Sequence, residues 1–242
     1  MLKKCIPVLV FILLFFGADA QQKNAAYYFH QGIQFKNNNN PADAAASFNK
    51  AISLNKKFDS AYVELGHLYT QARNTPAGIY NYKKALTINP AYTVALTSLG
   101  SIYKNVTQNL DSSLYYYHAA LHTDSSDRET YTAVAWIYNT QKDFDQGIFY
   151  AVKALDVDNN YKPAYGELAH AFRSTKKFAE AIVQFKKNLA ISVVDLAYLY
   201  SGYCYTELNN KEGAMEQYEA LNKINEKMAA ALKRQIDKMP AN

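Results

Sequence analysis

His118 and His122 stand four residues apart, a spacing that sets two imidazoles on one side of a helix, where they can hold a metal. No glutamate-containing zinc-protease pattern surrounds them, and Asp124 is the only acid in the segment. Two histidines on a solvated helix face are the ordinary reading of that spacing. Ser201-Gly202-Tyr203-Cys204 contains a lone thiol, but its phase in the repeat described next puts Cys204 near an inner seam. A buried structural cysteine is expected there. The chain has no glycine-rich phosphate loop and no nucleophile elbow, and its acids are scattered. Catalytic residues, cofactor and metal are therefore all expected to be none.

What the chain does contain is periodicity. Gly32, Gly66, Gly100, Ala135, Ala169 and Gly202 recur at steps of 34, 34, 35, 34 and 33 residues. Three places after each comes an aromatic: Phe35, Tyr69, Tyr103, Tyr138, Phe172 and Tyr205. A period near 34 with a fixed small and aromatic phase signals stacked supersecondary units. With the small residue at position 8, the units run 25–58, 59–92, 93–126, 128–161, 162–195 and 195–228, one residue being inserted before the fourth. Positions 4, 7, 8 and 11 share one helical face and predict the inner seam of a first helix.

A second helix is predicted after a short polar turn. Its marks are a small residue (Ala44, Gly78, Ser112, Gly147, Ala181, Ala214) and an aromatic four places on (Phe48, Tyr82, Tyr116, Phe185, Tyr218). Ala151 breaks the aromatic series in the fourth unit. A third mark is Ala51, Ala85, Ala119 and Ala154. A mid-helix glycine costs about 1 kcal/mol relative to alanine, so its return in phase implies close helix approach. Asn40-Pro41, Thr75-Pro76 and Asn89-Pro90 put a capping side chain or breaker beside a proline at a helix boundary, and Asp59, Asp127 and Asp195 sit where first helices begin and can accept bonds from free backbone N–H groups.

These residues closely resemble the tetratricopeptide repeat (TPR) family over 25–228. The resemblance implies an all-α, right-handed helical solenoid of six helix-turn-helix repeats. The family's proline near the end of each unit survives only as Pro90. Residues 226–238, with Met228, Ala231, Leu232 and Ile236 in an apolar stripe, are expected to form a capping helix that closes the array.

The resemblance also implies that first helices line a concave groove. Its central part would carry His67, Gln71, Lys104, Asn105, Trp136, Asn139, His170 and Arg173. Its apolar ends would be formed by Phe29 and Ile33, and by Leu196, Leu199 and Tyr203. Amides and cations around the single tryptophan suit an extended peptide or an acidic tail. Polar residues on a solvated face, with the apolar ends packed on the chain's own termini or a second copy, are the competing reading. Chaperone-binding members of the family use lysine and asparagine at two places in their first unit that are here Phe29 and Ile33, so that mode of recognition is not expected.

Residues 1–20 stand apart from the repeats. Lys3 and Lys4 precede an apolar run from Ile6 to Phe16, and Ala18-Asp19-Ala20 offers a cleavage site. A signal peptide is expected, delivering the protein to the periplasm of a diderm bacterium or otherwise secreting it; an uncleaved anchor is the alternative. Eleven apolar residues fall short of the about 20 that span a bilayer. A net charge of +5 gives no concentrated basic face for nucleic acid. The expected function is a non-catalytic protein–protein interaction scaffold, or adaptor, of the cell envelope. The alternative is a structural subunit that self-associates or docks through its convex face or apolar ends.

Overall fold

A computed structural model describes residues 24–240; the expected signal peptide lies outside the described residues. Those residues form thirteen α-helices and no strand. Six are first helices: α1 (Ala25–Asn37), α3 (Asp59–Gln71), α5 (Thr93–Asn105), α7 (Arg128–Thr140), α9 (Lys162–Ser174) and α11 (Asp195–Glu207). Each is followed by a second helix: α2 (Pro41–Leu54), α4 (Thr75–Ile88), α6 (Leu110–Thr123), α8 (Phe144–Val157), α10 (Phe178–Ile191) and α12 (Lys211–Asn222). The last helix, α13, is Glu226–Ile236. They pack as two compact units divided between Ile102 and Tyr103, within α5.

Each first helix ends in the same way. Asn39, Arg73, Gln108, Lys142, Lys176 and Asn209 have φ between 54° and 65°, the left-handed region. The following N–H then reaches back to the carbonyl of the repeat's aromatic, as from Asn40 to Phe35 at 2.9 Å and from Asn74 to Tyr69 at 2.8 Å. That bond satisfies a carbonyl left free at a helix end. The donor residue also becomes the N-cap of the next helix. Asn40, Asn74, Asn109, Asp143 and Asn210 each accept a backbone N–H three residues on, at 2.8–3.3 Å. One residue thus stops one helix and starts the next.

The turns correct several assignments. Asn74, rather than Thr75, caps α4. Asp127 caps α7 as expected, accepting from Thr130 N–H at 2.9 Å, whereas Asp59 and Asp195 lie inside the first turn and bond the N–H of the next residue. The extra residue of the array falls in the α5–α6 turn, where Asn109 N–H bonds back six residues to Tyr103 instead of five. Consequently Ser113, Tyr117 and Ala120, not Ser112, Tyr116 and Ala119, face inward: they are 0%, 5% and 1% exposed.

In the unit ending at Ile102, the small residues meet rings. A Cβ on Gly32 would stand 2.5 Å from Phe48, and one on Gly66 would stand 2.7 Å from Tyr82. Glycine is required there because the ring of the second helix lies directly on the first helix backbone. Phe48, Leu65, Leu68 and Ile52 form the core, with Phe29, Ile33 and Tyr69 packed on it. In the unit starting at Tyr103, Ala135 and Ala151 take the corresponding places in α7 and α8 and are fully buried. Gly147 accommodates Asn139, whose Oδ1 would lie 2.0 Å from a Cβ there, as Gly78 accommodates Thr70 in the first unit. At the far end Gly202 receives Leu232 of α13, 2.5 Å from where a Cβ would be. Leu232 and Ile236 are fully buried, so α13 covers the last repeat as a cap must.

Candidate functional site

One contact recurs on the first helices: in the pairs α1–α3, α7–α9 and α9–α11 the twelfth residue of one meets the sixth residue of the next. Six residues make about 1.7 turns, so the two positions of one helix point about 120° apart, position 12 toward the following first helix and position 6 toward the preceding one. In the unit ending at Ile102, Lys36 of α1 pairs with Glu64 of α3 at 2.7 Å. His67 Nδ1 stands 3.8 Å from the same carboxylate, and its ring leans on Tyr82 with centroids 5.5 Å apart. The His67 imidazole and then the Lys36 ammonium hold the Glu64 carboxyl below its usual range, against the opposing pull of burial. Gln71 is exposed and lines a small cavity of about 220 Å³ with Lys36, Asn39 and Leu68. Charge at this contact is internally balanced.

The unit starting at Tyr103 makes the contact with other residues. Asn139 of α7 donates from Nδ2 to Glu167 Oε2 at 2.9 Å and to the Glu167 carbonyl at 3.1 Å. It is only 3% exposed, so it forms the floor of the site and ties α7 to α9. Burial pushes the Glu167 carboxyl above its usual range, although Asn139 and the Lys104 charge oppose this. Burial likewise lowers Lys104. The Lys104 ammonium lies 5.1 Å from the centroid of Trp136, which is 40% exposed. Next along the first helices, the Arg173 guanidinium lies 4.6 Å from the centroid of the Tyr200 ring, a cation–π pair.

Three cavities follow these helices. Trp136, Asn139, Phe144, Glu167 and His170 line one of about 420 Å³. Glu167, His170 and Arg173 border a second of about 230 Å³, whose wall is Phe185, Val194, Leu196 and Tyr200. Arg173 and Ser174 also border a third of about 460 Å³ with Lys176, Tyr203, Cys204 and Glu207. Because they share residues, the three make one trough along α7, α9 and α11. Partial burial of the ring, with the neighbouring Arg173 cation, holds His170 below its usual range.

Of the residues expected in a groove, the structure gathers Lys104, Trp136, Asn139, His170 and Arg173, with Leu196 and Tyr203, along this trough. His67 and Gln71 lie on the first unit, and Asn105 is exposed at the end of α5. Phe29 and Ile33 are half-buried against the core of the first unit, and Leu199 is part of the second unit's core. Glu64 and Glu167 were not anticipated, although the spacing that places them is readable as the sixth residue of α3 and α9.

The remaining reactive groups have structural surroundings. His118 Nε2 lies 3.3 Å from the Tyr138 hydroxyl, and burial lowers its affinity for a proton. His122 is exposed on the same helix. Among the described residues no cluster of three or more His, Cys, Asp or Glu is placed to hold a metal ion. Cys204 is fully buried, with its thiol pushed up to about 11 by burial. No described helix is long and apolar enough to cross a membrane.

Comparison with known proteins agrees with the geometry. A tetratricopeptide repeat family model matches residues 129–161, the α7–α8 pair. The structure is similar to that of PilW, described as a widely conserved type IV pilus biogenesis factor, with 17% identity and a TM-score of 0.68; the match covers 88% of this chain and 100% of that one. It is similar to YrrB, a TPR protein with an unusual peptide-binding site, at 19% identity and a TM-score of 0.70, covering 78% and 99%. PilF of Pseudomonas aeruginosa gives 12% identity and a TM-score of 0.71, covering 87% and 97%. Comparison with curated protein sequences gives no match. The in-phase repeats, the shared turn, the close-packed helix pairs and these likenesses together give the chain the fold of the tetratricopeptide repeat proteins, with the α7–α8 pair matching the family model itself.

Proposed function

We propose that this protein is a non-catalytic adaptor of the cell envelope that holds a segment of a partner protein in the trough along α7, α9 and α11. The supporting observation is the trough itself. It combines an accessible tryptophan, apolar walls around Leu196 and Tyr200, and hydrogen-bonding side chains on the first helices. An extended segment buries side chains in such cavities while polar neighbours bond its backbone. YrrB is described as having a peptide-binding site and PilW as a pilus biogenesis factor, which fits a recognition role on this fold. The envelope assignment rests on Lys3, Lys4, the Ile6–Phe16 run and Ala18-Asp19-Ala20.

Crosslinking followed by pull-down from the native envelope, comparing the natural chain with Trp136→Ala and His170→Ala, tests the trough. Partners held there should be lost by at least about ten-fold, a difference of about 1.4 kcal/mol. Undiminished recovery removes the trough from the function. N-terminal sequencing of the exported protein should begin near Gln21; an intact Met1 in a membrane fraction would replace export by anchoring.

A second reading has its own support. The sixth residue of each second helix is exposed, and in α6, α8 and α10 it is Tyr115, Phe149 and Val183, at 70%, 50% and 48% exposure. A row of large apolar side chains facing water is a surface that association would cover. Light scattering across a concentration series decides it: mass rising with concentration, and falling again with Phe149→Glu, supports a structural subunit, whereas a constant monomer mass rejects self-association.

A further inference from the structure

The exposed apolar row on the second helices of the unit starting at Tyr103 carries charge on both flanks, and the two flanks differ in sign. Along α8, Asp145, Phe149 and Lys153 follow at steps of four residues, so they share one face and each step advances about 6 Å. Along α10, Glu180, Val183 and Lys187 repeat that order at steps of three and four. In α6 Asp111 and Tyr115 begin it, but Ala119 stands where the lysine would be, and Asp111 already accepts from Gln141 at 3.4 Å. Asp145, Glu180 and Lys187 are exposed, and none of the ion pairs among the described residues includes them. Lys187 rests near the Tyr165 ring, 5.4 Å from its centroid. Lys153 meets Asp156 at 3.6 Å, with the side chains 45% and 60% exposed, and its ammonium lies 5.8 Å from the centroid of Phe149. An exposed pair of that kind is worth little, so it does not tie Lys153 down.

We propose that this band is an isologous contact with a second copy of the chain, turned by 180° about an axis that runs along the apolar row. The rotation keeps Phe149 opposite its own counterpart and reverses the helix direction. Asp145 of one copy then faces Lys153 of the other, and Glu180 faces Lys187, each pair occurring twice. Apolar side chains meet in the middle and charges at the rim, the usual anatomy of a protein interface. An anionic membrane surface attracts the lysines but repels Asp111, Asp145 and Glu180. A partner whose charges run in the reverse order satisfies both flanks, and a copy of this chain turned over has that order. A copy docked with its helices parallel would set acid on acid and lysine on lysine, so the charges also fix orientation. The proposal rests on self-association through the row, the second reading above, and adds which groups meet and in which direction.

The test is a charge inversion in one full chain: Asp145→Lys, Lys153→Asp, Glu180→Lys and Lys187→Glu. Native mass spectrometry of this chain mixed with isotope-labelled natural chain resolves both homodimers and the mixed dimer. Each chain should pair with itself, and the mixed dimer should fall at least about ten-fold below its statistical share, because like charges then meet at all four places. Free mixing would overturn the antiparallel band and leave self-association in place. A natural chain that stays monomeric would overturn both, and its capture by phosphatidylglycerol vesicles would give the band to a membrane instead. Disulfide trapping keeps the proposal open to refutation even where the inverted chain fails to fold. Asp145→Cys mixed with Lys153→Cys should crosslink under mild oxidation and neither variant with itself, the native Cys204 being fully buried. Self-crosslinking without the cross-pair would overturn the proposed direction.

Discussion

The two units are built from the same helix pair and differ in how they settle charge and contact. In the unit ending at Ile102, aromatic rings lie on glycine backbone and the cation of one repeat is neutralised by the acid of the next. In the unit starting at Tyr103, the Ala135–Ala151 pair replaces glycine and ring in α7 and α8, although Tyr205 still lies on Gly213, and Arg173 faces a ring instead of an acid. Satisfied groups build a scaffold; an unsatisfied one is a place where something else can bind. The same repeat geometry serves both ends because the sixth and twelfth positions of the first helices vary freely, while the seam positions vary only together, as glycine with a ring or alanine with alanine.

Substitutions can break that contrast. Phe48→Ala removes a fully buried ring from the first unit and should cost about 3–5 kcal/mol in urea unfolding. Gly66→Ala pushes a methyl group into Tyr82, itself 2% exposed, and should cost about 1–3 kcal/mol. Asn139→Ala, in the second unit, strips the Glu167 carboxylate and carbonyl of their donor and should cost about 1–3 kcal/mol. A smaller effect of opposite sign is expected at Lys142, whose φ of 65° suits glycine: Lys142→Gly should gain about 1 kcal/mol. If Lys142→Gly destabilises, the turn is held by the side chain and not by its backbone.

Titration sharpens the contrast further. Glu64 has a lowered proton affinity, so its stabilisation is present above its ordinary value of 4.5 and disappears as pH falls through the folded value. Glu167 has a raised one, so its contribution runs the other way: it is present below 4.5 and is lost as pH rises through the folded value. Glu64→Gln should therefore lower stability at neutral pH, and Glu167→Gln should preserve or raise it. Unfolding midpoints of both variants between pH 3 and about 8 provide the check, and equal signs for the two would show that the acids are not in opposed environments.

The seam was legible because its constraint is steric and local. Gly66 three places before Tyr69, and Tyr82 sixteen places after Gly66, declare a helix pair by type and spacing alone. The α5–α6 turn was misassigned because Tyr116 and Tyr117 are adjacent and chemically alike, so composition could not tell which one faces inward. Backbone bonding decides it, through Asn109 and Tyr103. The trough was partly legible: Trp136, His170 and Arg173 were identified, whereas Glu167 was not. A carboxylate on a first helix reads as solvated until its partner, 28 residues earlier, is considered with it. Leu199 shows the converse, an apolar residue assigned to an open surface that the core had already claimed.

Trp136 is the chain's single tryptophan, and it belongs to the unit that starts at Tyr103. Its indole emission consequently reports on that half alone, while the other half is visible only through tyrosine. Tyrosine emission mixes both halves, with 7 of the 21 tyrosines before Tyr103 and 14 from it onward, so a transition seen in tyrosine and absent from tryptophan emission belongs to the first half. The same indole, shadowed by the Lys104 ammonium, will brighten or dim as that cation is drawn away, giving the trough its own optical readout of occupancy.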